Sequence, residues 1–285
     1  MSDDIFNQIS GMIAKKSCSG VSKDAAEWLH LLQSTPQKTP SDMQISQNSA
    51  PSANASAQQE NRQMVTKQAS EPASAPVFVQ TPGEFTSQST EQPAPAPINA
   101  GGIDRLRQSV YMCRRCRLAE TRNNIVFGEG DPHARLMFIG EAPGADEDMQ
   151  GRPFVGRAGQ LLTKMISAMQ FSREEVYIAN VIKCRPPNNR NPEPGEAACC
   201  MPYLEEQIKL VSPECIVLLG AVATRFLLKH EGSLSKIRGT WQSYKGIPVM
   251  VTYHPSFLLR VENAKREAWI DLQQVMAKFG KFHKK

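Results

Sequence analysis

Five of the seven cysteines in the sequence have a spacing that suits a metal centre. Cys113 and Cys116 form a C-x2-C pair, Cys184 lies further along the chain, and Cys199 and Cys200 follow it by 15 and 16 residues. A close pair together with distant single thiols is typical of four-thiolate sites, which hold either zinc or a [4Fe–4S] cluster. Thiolates suit both metals, so the ligand type leaves that choice open. Unconnected buried thiols are the alternative interpretation.

A second group of side chains is of types that could bind and cleave a small polar ligand. Glu141 follows an apolar run that ends in Gly140, where a carboxylate suits either catalysis or helix capping. Asn180 lies inside another apolar run, so its amide must find partners there, and it can read the edge of a pyrimidine. His254 follows a third run. Phe154 lies in a loop rich in glycine and arginine, where its ring could stack on a base or pack in the core.

The elements that must position these side chains are predicted by apolar runs that alternate with helical periodicity. Four runs predict buried strands: Leu136–Ile139, Val176–Ile182, Cys215–Leu219 and Ile247–Tyr253. Helical spacing predicts five helices: residues 103–112, 158–169, 194–210, 221–229 and 265–278. This alternation indicates a parallel sheet with helices on both faces. Ligands bind at the carboxyl ends of such strands, so the loops there are the predicted site.

Charge is distributed unevenly along the chain. Residues 1–100 hold 6 Lys and Arg against 9 Asp and Glu, a net charge of −3, within a chain whose formal net charge is +5. The remaining residues therefore carry a net charge of +8. A basic globular part favours an anionic partner, of which nucleic acid is the commonest, although an ordinary basic enzyme has the same balance.

The first hundred residues differ in composition from the rest. Residues 34–100 are rich in Pro, Gln, Ser, Thr and Ala, which predicts a disordered extension over residues 1–100, with a short helix near residues 24–33. We expect a folded domain over residues 101–285. The chain has no run of about 18 apolar residues and begins with acidic residues, unlike a membrane span, a signal peptide or a transit peptide. We therefore expect a cytoplasmic protein with reduced cysteines.

Seven short stretches of the folded part share an order and spacing with a known family. They are Cys113–Leu118, Phe127–Gly130, Gly140–Gly144, Gly151–Gly156, Asn180–Pro187, Leu219–Ala221 and His254–Ser256. Together they resemble the family 4 uracil-DNA glycosylases, which carry an iron–sulfur cluster, and the resemblance covers about residues 103–280.

The resemblance implies an α/β fold with three layers, α/β/α, around a central parallel four-stranded sheet. It implies hydrolysis of the N-glycosidic bond of deoxyuridine in DNA, the first step of base excision repair. It also implies a [4Fe–4S] cluster that joins the amino-terminal segment to the loop after the second strand and takes no part in the chemistry. The implied ligands, with Cys199 as a bystander, are Cys113, Cys116, Cys184 and Cys200.

The resemblance further implies a pocket for a uracil that has been flipped out of the DNA. Phe154 would stack on the base, and Asn180 would hydrogen-bond its edge and favour uracil over cytosine. His254 would donate to the O2 oxygen, where negative charge grows as the bond breaks.

The sugar side and the wall of the pocket are also implied. Glu141 would lie near the sugar and the attacking water, where it would either orient the water or stabilise positive charge on the sugar. The backbone of Ala142 and Pro143 would complete this lining. Glu147 would crowd the pyrimidine C5, where thymine has its methyl group. Some related families have an aspartate as general base at the place of Ala142, so the base itself stays open.

The implied partner is DNA, bound by a monomer, and the extension could bind another protein. Leu258 or Leu259 would fill the gap that the flipped base leaves. Arg157 and Arg185 would contact the DNA, together with Arg260. Arg260 directly follows the last motif loop, without the arginine-rich insertion of the related branch that crosslinks to DNA, so we expect turnover.

Two other functions compete with this hypothesis. A catalytically inactive DNA-binding or replication-associated module of the same fold should have lost pocket residues, yet Glu141, Phe154, Asn180 and His254 are all present. A redox or zinc protein would explain the cysteines but not the pocket loops. We therefore expect an active uracil-DNA glycosylase.

Overall fold

The computed structural model describes residues 102–281. The predicted extension over residues 1–100 and its short helix near residues 24–33 lie outside the described residues. Within the described part, no helix combines the length and the apolar character that a membrane crossing requires.

The described chain contains nine α-helices and six strands. The helices are α1 Ile103–Tyr111, α2 Leu118–Thr121, α3 Ala145–Gln150, α4 Arg157–Ala168, α5 Pro194–Val211, α6 Ala221–Leu228, α7 Leu234–Ile237, α8 Pro255–Leu258 and α9 Ala264–Lys278. The strands are β1 Glu129–Gly130, β2 Leu136–Gly140, β3 Tyr177–Asn180, β4 Cys215–Leu219, β5 Trp241–Tyr244 and β6 Ile247–Thr252. All four predicted strands and all five predicted helices are present, with bounds that differ by at most a few residues.

The six strands form one sheet in the order β1-β3-β2-β4-β6-β5. The inner four are parallel, as predicted, and the outer strands β1 and β5 pair antiparallel with their neighbours. The two edge strands were not predicted, and they enlarge the four-stranded parallel sheet to six strands.

The sheet is covered on both faces because its central strands are apolar on both. Along β2, Met137 and Ile139 belong to one core cluster, whereas Leu136 and Phe138 belong to the other. This alternation follows from the two-residue period of a strand. The first cluster is completed by α1, α5 and α6, and the second by α4 and α9. The result is the predicted three-layer α/β/α fold.

The parallel register brings the carboxyl ends of the inner strands to one edge. Gly140, the last residue of β2, is paired with Asn180, the last residue of β3. On the other side, Leu219 of β4 is paired with Thr252 of β6, and the Gly220 N–H donates to the Thr252 carbonyl. The loops that follow these four strands therefore meet at the edge where the sequence predicts the site.

Candidate active site and thiol cluster

Gly140 lies where the predicted base-binding residues meet. A Cβ added at this position would lie 2.4 Å from Phe154 Cζ and 2.5 Å from Asn180 Oδ1. Both distances are far below a van der Waals contact, so only glycine lets the aromatic ring and the amide approach each other here. The missing side chain thus brings together two residues that are 26 positions apart in the sequence.

Asn180 presents a buried acceptor without a donor. Its side chain is 1% exposed, and its Oδ1 has no hydrogen-bond partner among the described residues. A buried polar atom left unpaired costs about 1–3 kcal/mol, so such atoms are uncommon in native proteins. Because Oδ1 faces the Phe154 ring across Gly140, it is placed to accept a hydrogen bond from a planar ligand that stacks there.

Phe154 has a backbone conformation that phenylalanine rarely adopts. Its φ angle is 52°, in the left-handed region, which costs a non-glycine residue roughly 1–3 kcal/mol. The ring is buried, and its centroid lies 5.6 Å from the centroid of the His254 imidazole. The unusual backbone therefore directs the ring into the space between Asn180 and His254.

His254 is held in one tautomer by the residues that follow it. Its Nδ1 accepts the backbone N–H of Ser256 at 3.2 Å and lies 2.8 Å from the Ser256 hydroxyl. An Nδ1 that accepts a backbone N–H carries no proton, so the neutral ring has its proton on Nε2. Burial, with a smaller contribution from the positive charge of Arg260, lowers the pKa of His254 to about 4. A neutral Nε2–H donor is therefore available at neutral pH.

Glu141 follows β2 directly and is partly buried. Burial raises the pKa of its carboxyl group, and the side chain has no hydrogen-bond partner within residues 102–281. Its backbone is fixed, because the Ile182 N–H donates to the Glu141 carbonyl at 3.2 Å. Ala142 is partly exposed and Pro143 is buried in the same loop. A carboxylate without a partner at this edge is available to a ligand.

Glu147 connects two of the predicted pocket loops. Its Oε1 accepts the N–H groups of Val155 and Gly156 at 2.9 Å each, and its Oε2 accepts the N–H of Gly144 at 3.0 Å. The carboxylate thus joins the loop after β2 to the loop that contains Phe154. Its predicted place beside the pyrimidine C5 stays a prediction.

The side chains predicted to contact DNA differ in exposure. Leu258 is fully buried in the core, so it cannot enter a DNA helix, whereas Leu259 is 37% exposed. Of the two leucines, Leu259 is therefore the one with a side chain at the surface, and its insertion into DNA stays a prediction. Arg157 and Arg260 are exposed, and Arg185 is partly buried, with its Nε donating to Asn189 Oδ1 at 2.8 Å.

The four predicted cluster ligands and the neighbouring Cys199 line a single cavity: Cys113, Cys116, Cys184, Cys199 and Cys200. Arg122 Nη1 donates to Cys184 Sγ at 3.2 Å, and its Nη2 donates to the Cys113 carbonyl at 2.7 Å. The Lys183 N–H donates to Cys200 Sγ at 3.3 Å. The structure therefore joins the C-x2-C segment to the segment after β3, as the spacing predicts.

Cys184 is buried and the other four cysteines are partly buried, but together they do not form a single-ion site. Burial raises the pKa of Cys200 to about 12 and also raises the pKa of Cys116 and of Cys184, so without a metal these groups keep their protons. In the described part of the chain, no three His, Cys, Asp or Glu side chains converge as one metal ion would require.

Ion pairs hold the C-x2-C segment against α5 independently of any metal. Arg117 Nε lies 3.1 Å from the buried carboxylate of Glu196, which Arg190 also contacts at 2.6 Å. The hydrogen bond from Arg190 is the main cause that lowers the pKa of Glu196 to about 2. The C-x2-C segment is therefore connected to α5 by side chains that contain no sulfur.

Sequence reasoning did not identify three residues that shape these sites. Arg122 contacts the cysteines, Ser256 fixes the His254 tautomer, and Arg173 contacts the Phe154 loop. Ser256 lies in a recognised motif and could have been proposed as a cap, since serine commonly bonds to neighbouring groups at a helix start. Arg122 and Arg173 act through contacts across the fold, for which the sequence contains no local signal.

Comparison with known proteins identifies the family. The model of the uracil DNA glycosylase superfamily matches residues 127–273. The type-4 uracil-DNA glycosylase of Sulfurisphaera tokodaii is 43% identical over 182 residues, which cover 61% of this chain and 83% of the relative. The type-4 enzyme of Saccharolobus solfataricus is 46% identical, covering 55% and 77%, and that of Thermotoga maritima is 48% identical, covering 54% and 81%. The chain belongs to the uracil-DNA glycosylase superfamily and, within it, to the type-4 uracil-DNA glycosylases.

Proposed function

We propose that this protein excises uracil from DNA by hydrolysing the N-glycosidic bond of deoxyuridine, as the first step of base excision repair. The observation that carries the proposal is the buried Asn180 Oδ1, which has no donor within the described chain and faces the Phe154 ring. The N3–H group of a uracil stacked on Phe154 would supply the missing donor. The similarity to type-4 uracil-DNA glycosylases supports the same substrate.

His254 would assist departure of the base. As the glycosidic bond breaks, negative charge grows on the uracil, and a donor fixed at the O2 oxygen stabilises that charge. The Nε2–H of the neutral imidazole is such a donor, because the Ser256 N–H holds Nδ1 as an acceptor. A neutral donor avoids protonating the uracil and needs no titration at neutral pH.

Glu141 would act on the sugar side of the pocket, with the backbone of Ala142 and Pro143. Positive charge develops on the deoxyribose when the base leaves, and an ionised carboxylate stabilises it and can orient the attacking water. The absence of a hydrogen-bond partner for this carboxylate within residues 102–281 supports a contact to substrate.

DNA would bind across the same edge of the sheet. We propose that Leu259 fills the gap that the flipped base leaves in the DNA, because this leucine is exposed next to the His254 loop. Three arginines would contact phosphates: Arg157, Arg185 and Arg260. Such contacts hold the DNA in register without reading its sequence.

We further propose that the protein acts as a monomer and that residues 1–100 bind another protein.

We also propose that the thiol cavity holds a [4Fe–4S] cluster. Cysteine thiolates are the ligands of such clusters, and five cysteines line the cavity. A four-iron cluster takes one thiolate per iron, so four of these five cysteines would supply its ligands. The cluster would serve as a structural link between the two cysteine segments. None of the six cysteines in the described part forms a disulfide, which agrees with the reducing compartment, such as the cytoplasm, that we propose.

The ligand set can be tested by comparing two neighbouring cysteines. We assign Cys113, Cys116, Cys184 and Cys200 as ligands, so Cys200→Ser should lose most of the iron, whereas Cys199→Ser should keep about four irons per chain. Metal analysis of anaerobically purified protein measures both variants. The reverse pattern would show that Cys199 is the ligand, and stoichiometric zinc in the wild-type protein would exclude the cluster.

The contribution of Glu147 can be tested with Glu147→Ala. We expect slower uracil excision, because three backbone N–H groups lose their acceptor at a cost of about 1–3 kcal/mol each where they stay buried. We also expect weak excision of thymine, since space opens near C5. Matched uracil and thymine oligonucleotides measure both effects. If the uracil rate falls while thymine is still refused, Glu147 only joins the loops.

The activity itself is tested with oligonucleotides that contain one deoxyuridine, in single-stranded and double-stranded form. Wild-type protein should produce abasic sites that alkali cleaves at the uracil position, and it should leave matched thymine and cytosine oligonucleotides intact. An iron-loaded, folded protein that produces no abasic site in any of these substrates would refute the proposed function.

A further inference from the structure

Phe154 needs external support to keep its conformation. Its φ angle of 52° is unfavourable for an L-residue, and φ is set by rotation of the peptide plane between Pro153 and Phe154. A group that holds the Pro153 carbonyl therefore holds this angle. The next peptide plane, between Phe154 and Val155, is held by Glu147, whose Oε1 accepts the Val155 N–H.

The Pro153 carbonyl is held by Arg173, which lies outside every recognised motif. Arg173 Nη2 donates to this carbonyl, and Nη1 donates to Thr163 Oγ1 at 3.1 Å. The guanidinium also lies 2.7 Å from a carboxylate oxygen of Glu129, and it is only 14% exposed. Three partners in different directions leave the guanidinium little freedom, so its hold on the loop is rigid.

Thr163 extends this contact to the other side of Phe154. The Thr163 hydroxyl donates to the Gly159 carbonyl at 3.1 Å. A Cβ at Gly159 would lie 1.9 Å from the carbonyl carbon of Phe154, so α4 packs directly on the Phe154 backbone at this glycine. Arg173 thus connects the loop to both α4 and the edge strand β1.

We propose that Arg173 is a positioning residue for the aromatic ring of Phe154, and so for base binding. This inference rests on the proposed function, since it assumes that the ring stacks on uracil. Arg173 itself does not touch the base; it fixes the peptide plane that directs the ring. The edge strand β1 then contributes to substrate binding through Glu129, which pairs with Arg173 and also with Arg152 of the Phe154 loop.

The experiment measures binding of the base separately from binding of DNA. Free uracil serves as an inhibitor that occupies only the base pocket, and an oligonucleotide with an abasic-site analogue contacts the protein without a base. For Arg173→Met we expect the inhibition constant of uracil to rise roughly tenfold. A loss of this size is part of what stacking of one base on an aromatic ring contributes to binding. Affinity for the abasic oligonucleotide should change by less than about twofold.

Two further variants show whether a weaker affinity for uracil comes from lost positioning of the ring or from lost folding. Arg173→Lys keeps a positive charge beside Glu129 but cannot reach Pro153 and Thr163 at the same time, so it should fold and still bind uracil weakly. Arg135→Met is the matched control, because Arg135 forms a two-pronged ion pair with Glu214 at the surface, away from the loop. It should bind uracil like the wild type.

A double-mutant cycle separates positioning from a general structural role. In a Phe154→Ala background, the Arg173 substitution should no longer change the uracil inhibition constant, because the ring that it positions is absent. An unchanged inhibition constant in both Arg173 variants, or an equal loss of affinity for uracil and abasic DNA, would overturn the inference while leaving the proposed function intact. A wild-type protein without uracil excision would overturn both.

Discussion

Replacing Asn180 by aspartate should lower the single-turnover rate of uracil excision by about a hundredfold, since a lost buried hydrogen bond costs about 1–3 kcal/mol and charge repulsion adds to it. Uracil offers an acceptor at O4 and a donor at N3, and the asparagine amide complements both. An ionised aspartate keeps the acceptor for N3–H, but its second oxygen faces O4 and repels it. The same oxygen tolerates the N4 amino group of cytosine.

The ratio of uracil to cytosine excision is therefore the decisive measurement. Against cytosine, the wild-type amide faces donor with donor and acceptor with acceptor, which supports strong discrimination. Asn180→Asp should narrow this ratio in matched oligonucleotides that differ only in the target base. A variant that keeps the wild-type ratio would mean that Asn180 is a structural residue of β3 and that the base is read elsewhere.

Removing the imidazole of His254 should have a comparably large effect. His254→Ala should slow single-turnover excision by about 10²–10³-fold, the usual effect of deleting one donor to a developing anion. Ser256→Ala should have a smaller effect, because it removes the hydroxyl near Nδ1 but keeps the backbone N–H that fixes the tautomer. Both variants should bind uracil-containing DNA, so that the loss appears in the rate of the chemical step.

The pH dependence distinguishes a neutral from a charged His254. Because burial lowers its pKa to about 4, the ring stays neutral from pH 5 to 8, and the rate should show no titration of this residue in that range. Protonation below about pH 4 would place a proton on Nδ1 and break its bond from the Ser256 N–H. A wild-type rate that follows the titration of one group with a pKa near 6.5, and a His254→Ala rate that does not, would contradict the neutral donor.

The central elements were predictable because their sequence signals are local. Cys215–Leu219 is uniformly apolar and forms β4 with the predicted bounds. The edge strands have weaker signals: β1 has only two residues, too few for any periodicity. For β5, the turn at Lys245 and Gly246 has positive φ at both residues, and of the two only the glycine was a sequence signal for a hairpin, which we overlooked.

The residues of the candidate site also fall into two groups, those that local sequence signals predict and those that depend on tertiary contacts. Glu141 and His254 follow predicted strands, and Asn180 lies inside a predicted strand and ends the observed β3. The parallel topology therefore brings all three to one edge. The close approach of Phe154 to Asn180 depends on the absent side chain of Gly140, and the support from Arg173 depends on tertiary contacts. Such contacts join residues that are distant in sequence, so spacing does not predict them.

The unpaired Asn180 oxygen also bears on the balance between stability and activity. This oxygen has no donor among the described residues, and a buried polar atom that stays unpaired costs about 1–3 kcal/mol, a noticeable fraction of the roughly 5–15 kcal/mol that holds an ordinary domain folded. An apolar residue of similar volume at this position would remove the cost and make the fold more robust, but it would also remove the group that identifies the base. Asn180 is thus a place where selection for catalysis and selection for thermal resistance act in opposite directions.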